Sequence, residues 1–298
     1  MPELPPPVPA HLADAYAACR RRARRHYENF PVASMLLPRR MRPHVAAVYA
    51  FARVADDFAD EGSRPPAERL RLLDAWREHL RTCVHVEPAG AGPEDAALFR
   101  ALGYTIRACR LPVGLLEDLL SAFAQDVTVS RYATWTDLLD YCRRSANPIG
   151  RLVLRIAGYH DGDLDRASDD LCTALQLTNF WQDFARDWAG GRVYVPLEVT
   201  EAAGAREHTI DPSGLPREWR AALEMAARPT RELFADGRAV CDGVRGRLRL
   251  ELRLTWLGGT TVLDRLAASG YDPARRRPTL APRDVPLLLW RAATWSHR

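Results

Sequence analysis

Apolar residues recur at helical spacing along almost the whole chain, and strand-like alternation is nearly absent. The spacing predicts helices over 11–28, 40–61, 65–84, 93–110, 112–128, 135–158, 163–189, 216–236, 238–268 with an interruption, and 282–295. Breakers separate them at "GSRPP", "EPAGAGP" and "YHDGD", and the longest irregular piece, "LEVTEAAGAREHTIDPSGLP", follows Pro196. With no repeat, low-complexity tract or clear linker, residues 11–298 read as one all-α domain behind a flexible proline-rich leader at 1–10.

Two of these helices interrupt their apolar pattern in the same way. In "YAFARVADDFADEG", advancing 100° per residue from Tyr49 puts Arg53 at about 40°, Asp56 at about 340° and Asp60 at about 20°. These four share one stripe, while Asp57 falls about 80° round, at its edge. In "QLTNFWQDFARDWAGGRVYVP", Gln176 at 0° is followed by Asn179 at about 300°, Asp183 at about 340° and Asp187 at about 20°. Leu175, Leu177, Phe180 and Trp181 flank this second stripe, so its carboxylates read as directed into an interior. Like charges one turn apart repel, and inside a core they are costly unless a cation neutralises them.

A lone Asp-x-x-x-Asp reads most simply as a solvated helix face. Two such stripes, each among apolar neighbours and each near an arginine, point instead to opposing acidic walls of a cavity. Oxygen-only carboxylate pairs suit a hard cation, and Mg²⁺ takes one or two carboxylates together with water and phosphate oxygens. A phosphate or diphosphate substrate follows, with Arg53 and Arg192 placed to grip it by charge-assisted hydrogen bonds.

Composition narrows the picture further. The chain has 298 residues, 47% of them hydrophobic, enough for a sizeable core. All 42 basic residues are arginine, and against 38 acidic ones the net charge is only +4, too balanced for nucleic-acid binding. Six cysteines scattered without C-x-x-C spacing, and "MPELPPPVPA" where a signal peptide would be apolar, fit a reduced, cytoplasmic compartment. The apolar runs fall short of a bilayer span, so the expected membrane contact is peripheral, at the inner face. Arg20 to Arg25 and Leu287 to Trp290 are segments that would touch lipid, though a solvated helix end and a core-facing helix are the simpler readings of each. Isolated histidines such as His160 lack metal-ligand spacing and read as surface residues.

The stretches "YAFARVADDFAD" and "QLTNFWQDFARDWAGGRVYVP" resemble the two aspartate motifs of the squalene and phytoene synthase family, and the likeness extends from about Tyr27 to Trp295. "HYENFPVASMLLPRRMRPHVAAVYAFARVADD", "DYCRRSANPIGRLVLRIAG" and "RRRPTLAPRDVPLLLWRA" are most similar to the branch serving bacterial hopanoid biosynthesis. The resemblance implies an isoprenoid-synthase helical bundle around a central cavity, with Mg²⁺ held by Asp56, Asp60, Asp183 and Asp187 against a prenyl diphosphate. It further implies diphosphate contacts from Arg53 and Arg192, polar cavity positions at Gln176 and Asn179, cavity tyrosines at Tyr49 and Tyr141, and an aromatic at Phe30. Tyrosines in helical bundles are more often packing residues.

Three departures from the family pattern matter. "YENF" stands where reducing members carry Ser-Arg-Ser-Phe, so no NADPH is expected. Arg186 replaces the auxiliary carboxylate of the second motif. "SANPIG" replaces a glycine-rich stretch, with Pro148 forcing a break or kink and Asn147 to Gly150 reshaping the cavity wall. The implied reaction is presqualene diphosphate plus water to hydroxysqualene and diphosphate. Head-to-head condensation to presqualene diphosphate, phytoene or dehydrosqualene is the alternative. An inactive helical partner of a membrane-associated isoprenoid enzyme is the reading from another class, and association with other squalene-pathway enzymes is a further partner expectation.

Overall fold

A computed structural model of the chain describes residues 3–25, 36–60, 62, 64–85, 92–211 and 213–295. Helices account for nearly all the regular structure: α1 Ala13–Arg25, α2 Met41–Asp60, α3 Pro66–Cys83, α4 Pro93–Cys109, α5 Val113–Asp126, α6 Trp135–Ser145, α7 Asn147–Ile156, α8 Gly162–Ala189, α9 Leu197–Ala202, α10 Arg217–Gly243, α11 Gly246–Ala268 and α12 Val285–Ala293. The all-α class is therefore as the spacing predicts. The chain divides into two compact units, Met1–Thr128 with Pro148–Asp165, and Val129–Asn147 with Arg166–Arg298.

In the first unit α2 packs against α1, α3, α4 and α5, so the helix carrying the first acidic stripe is the hub of its core. Its alanines supply strong helix propensity and allow close approach, and Ala47, Ala50, Phe51, Val54, Ala55 and Ala59 are buried. Trp76 stacks against Phe51 at 6.0 Å and leans on Phe99 at 4.5 Å, and its indole donates to the Phe51 carbonyl. Beneath this layer Tyr16 and His44, both fully buried, hydrogen-bond Thr105 at 2.7 and 3.0 Å. Those bonds satisfy polar groups that burial would otherwise make costly.

In the second unit α10 packs on α9 and α11, and α11 on α12. The Trp181 indole donates to Thr230 at 3.0 Å, tying α8 to α10. A short extended pairing joins 130–133 to 193–198: Val193 N–H donates to the Ser130 carbonyl, Leu197 to Tyr132 and Glu198 to Ala133. Thr134 then caps α6 reciprocally with Asp137.

Among the described residues three element boundaries differ from the spacing. The predicted 135–158 helix is two, ending at Ser145 and restarting at Asn147, because Pro148 is tolerated only in a first turn. The break predicted at position 237 lies instead at 244–245, and α10 runs through both Pro229 and Gly237. Gly237 sits where an added Cβ would lie 2.5 Å from the Leu171 backbone nitrogen, so it serves close packing of α10 on α8 rather than a turn. The irregular piece after Pro196 contains α9 and the short 3₁₀ turn Glu207–Thr209. The first predicted helix is described as far as Arg25, and its last predicted residues, 26–28, lie outside the described residues.

Glu251 on α11 is only 5% exposed, and its Oε2 has no hydrogen-bond partner. Burial pushes its carboxyl up to about 7, far above an ordinary glutamate. A raised folded value favours the protonated form, so this contribution to stability is complete below the unfolded value near 4.5 and is lost as pH rises through about 7. Glu251→Gln is expected to abolish that loss, stabilising the chain at pH 8 by up to about 3 kcal/mol. Thermal melts of both proteins across that range check this, and parallel curves would refute it.

Candidate active site

The first unit presents one half of the candidate chemistry on the C-terminal turns of α2. Arg53 forms ion pairs with Asp56 at 3.2 Å, one turn on, and with Asp57 at 2.7 Å. The side chains of Asp56 and Asp57 are 36% and 25% exposed, so Asp57, placed by the wheel at the stripe's edge, is the more buried of the two. Side chains three and four residues apart meet on a helix, which lets one guanidinium serve both carboxylates. Asp60, the last residue of α2, is exposed. Tyr49 is half-buried two turns before Asp56, and burial holds its hydroxyl above the usual tyrosine value.

Beside Tyr49 lies an apolar hollow of about 290 Å³, lined by Val45, Val48, Tyr49, Ile149, Leu152, Val153 and Ile156. The α2 and α7 side chains that wall it recur at helical spacing. Ile149 comes from the "SANPIG" segment, while Asn147 at the start of α7 is buried and accepts a hydrogen bond from Thr173 at 2.9 Å.

The second unit carries the other half on α8. Asp161 caps this helix by accepting from the backbone of Asp163 and Leu164. Farther along, Asp183 and Asp187 follow one another by a turn between buried Phe180, Trp181 and Phe184. Burial and then the charge of Asp183 push the Asp187 carboxyl up to about 7, against the opposing pull of Arg192, Arg186 and Arg277. Gln176 is half-buried, and Asn179 and Arg186 are exposed.

Arg192 is brought back beside Asp187 by the Gly190-Gly191 turn. Gly191 adopts a φ of 82°, a left-handed conformation that favours glycine, and Arg192 N–H donates to the Asp187 carbonyl at 2.7 Å. An arginine that sequence spacing did not single out completes this end: Arg277 Nε donates to Asp183 Oδ1. Its segment is tied down by Gln182, which donates to the Pro278 carbonyl at 2.5 Å, and by Arg265, which donates to Thr279.

Tyr141 is buried in an aromatic cluster. It lies 5.6 Å from Tyr132, 6.2 Å from Phe180 and 6.3 Å from Tyr194, and Phe180 and Tyr194 stack at 3.7 Å. Tyr132 and Tyr194 were not among the residues singled out by motif. Phe30 lies outside the described residues.

Among the described residues no group of three or more histidine, cysteine, aspartate or glutamate side chains is placed to hold a metal ion. The chemistry of the donors nevertheless fits Mg²⁺. Asp183 and Asp187 are two partly buried carboxylates whose charges repel, and Mg²⁺ commonly completes its shell with water and phosphate oxygens rather than a full protein cage. All six cysteines are free thiols, and no described helix is long and apolar enough to cross a membrane.

The family model for squalene/phytoene synthase matches residues 23–288. Hydroxysqualene synthase of Zymomonas mobilis is 39% identical over 70% of this chain and 67% of its own length. Hydroxysqualene synthase of Sinorhizobium fredii is 33% identical over 87% of this chain and 85% of its own. The crystal structure of squalene synthase HpnC from Alicyclobacillus acidocaldarius superposes with a TM-score of 0.81 at 41% identity, covering 89% of this chain and 97% of that one.

Proposed function

The chain belongs to the squalene/phytoene synthase family, and from that premise we propose that it converts presqualene diphosphate and water to hydroxysqualene and diphosphate. The observation that carries the reading is the partly buried Asp183/Asp187 pair with Arg192 and Arg277 beside it, a set suited to a charged diphosphate head. Relatives at 33–39% identity named hydroxysqualene synthase support the choice of substrate.

In this reading Asp56 and Asp60 are the residues of the first unit that would hold Mg²⁺, and Asp183 and Asp187 are those of the second. When bound, that ion supplies Lewis-acid neutralisation of the departing diphosphate. Arg192 and Arg277 donate charge-assisted hydrogen bonds to its oxygens, so the carbon–oxygen bond breaks with the electron pair leaving on diphosphate, and Arg53 is the corresponding cation of the first unit. The hollow beside Tyr49 takes isoprenoid chain, burying apolar surface that would otherwise face water. The faces of Tyr132, Tyr141, Phe180 and Tyr194 stabilise the cyclopropylcarbinyl cation while it rearranges. Water then adds to the rearranged cation and loses a proton, and no NADPH takes part.

Incubating the pure protein with presqualene diphosphate and Mg²⁺, with and without NADPH, tests this directly. Hydroxysqualene is the expected product in both arms. Squalene formed only with NADPH would replace the water quench by reduction, and turnover of farnesyl diphosphate alone would favour head-to-head condensation.

A further inference from the structure

Eight large hydrophobic side chains are exposed among the described residues, and five of them, Leu280, Val285, Leu287, Leu289 and Trp290, fall within one short segment at and before α12. Scattered exposed hydrophobics are ordinary, whereas a contiguous patch marks an interaction surface. Only a narrow side of α12 is used internally. Leu288 and Ala292, one turn apart, pack with Leu257 of α11. Measured round the helix from Leu288, Leu289 lies at about 100°, Trp290 at about 200° and Leu287 at about 260°, so the apolar arc continues across the outward side. Trp290 is 63% exposed at its centre.

Charge separates the candidate occupants. Residues 275–295 hold five arginines and one acidic residue, Asp284. Asp284 is turned away from the surface into a two-pronged pair with Arg265, at 2.6 and 2.8 Å. Arg283 and Arg291, at the two ends of α12, are exposed. An apolar arc ended by cations complements an anionic bilayer, into which leucine and tryptophan insert while arginines meet headgroup phosphates. A second copy of the chain docked through this patch would instead bring like-charged arginine rims together.

We propose that α12 is a membrane-docking element that lays Leu287, Leu289 and Trp290 into an anionic lipid surface, with Arg283 and Arg291 on the headgroups. This inference does not rest on the reading of the active site, because its test measures lipid binding. The full chain is mixed with vesicles of phosphatidylcholine alone or of phosphatidylcholine with phosphatidylglycerol, at low and high salt, and the bound fraction is read by flotation. Binding is expected to favour the anionic vesicles and to weaken with salt. Replacing both Leu287 and Trp290 by serine lowers vesicle affinity on the order of tenfold, and Arg283→Gln and Arg291→Gln each lower it about fivefold on anionic vesicles only. Circular dichroism should remain wild-type, as should turnover of detergent-dispersed substrate. Unchanged vesicle binding in the Leu287/Trp290 variant would overturn the proposal. So would a wild-type dimer, without vesicle binding, that the same variant converts to monomer.

Discussion

Asp183→Asn lowers turnover on the order of a thousandfold while the protein stays folded, the first of two expected results that follow from α8. The loss arises because a neutral amide supplies no negative charge to a site whose partner, Asp187, is already held up to about 7 by burial and by Asp183 itself. Stability changes little because two effects oppose one another. Removing the Asp183 charge relieves part of the strain on Asp187, lowering its carboxyl, while burial still holds it above the ordinary range. Arg277 loses its ion partner, but its side chain is 40% exposed and such pairs contribute about 0–1 kcal/mol. Steady-state rates with presqualene diphosphate, alongside a thermal melt, check both halves. Retained turnover would refute the metal assignment, and so would retained turnover in Asp56→Asn, where Arg53 keeps its pair with Asp57.

Gly237→Ala destabilises by about 2 kcal/mol, and Gly237→Val by more, although alanine is the better helix former. A Cβ at 237 would lie 2.5 Å from the Leu171 nitrogen and 2.8 Å from its Cα, so backbone rather than a yielding side chain stands in the way. The propensity gain of about 1 kcal/mol cannot offset the separation of α10 from α8. Activity is expected to fall with stability, since α8 carries Asp183 and Asp187. Gly114→Ala is the contrasting control: nothing lies within 4 Å of the added carbon in α5, and a neutral or slightly stabilising result is expected. Denaturant unfolding of the three variants reads the difference, and a stabilising Gly237→Ala would show that α10 moves aside.

The same glycine illustrates what a sequence conceals. An isolated glycine in a helical pattern signals a break or a close approach equally well, and only the presence of Leu171 opposite decides between them. The stripes were legible because helical periodicity alone sets which residues of α2 and α8 share a face. The role of Asp57 was less so, since a wheel records direction from the axis and not the reach of an arginine that spans two carboxylates at once. Arg277 left no local trace at all. It meets Asp183 from 94 residues away, through a loop held by Gln182 and Arg265, and no period or spacing encodes that return. The aromatic cluster at Tyr141 was half legible: the motif named Tyr141, but Tyr132 and Tyr194 come from segments brought together by the pairing of 130–133 with 193–198.

That pairing also sets a clock for the neighbouring arginine. The amides of Val193 and Leu197 are bonded across to another segment rather than within a helix, so end fraying of α8 does not release them. In deuterated solvent their exchange records separation of the two segments, and its rate gives the free energy of that opening. A slow exchange at these two positions means the segment that follows Arg192 is held in place in the free protein; a fast one means it opens and recloses repeatedly.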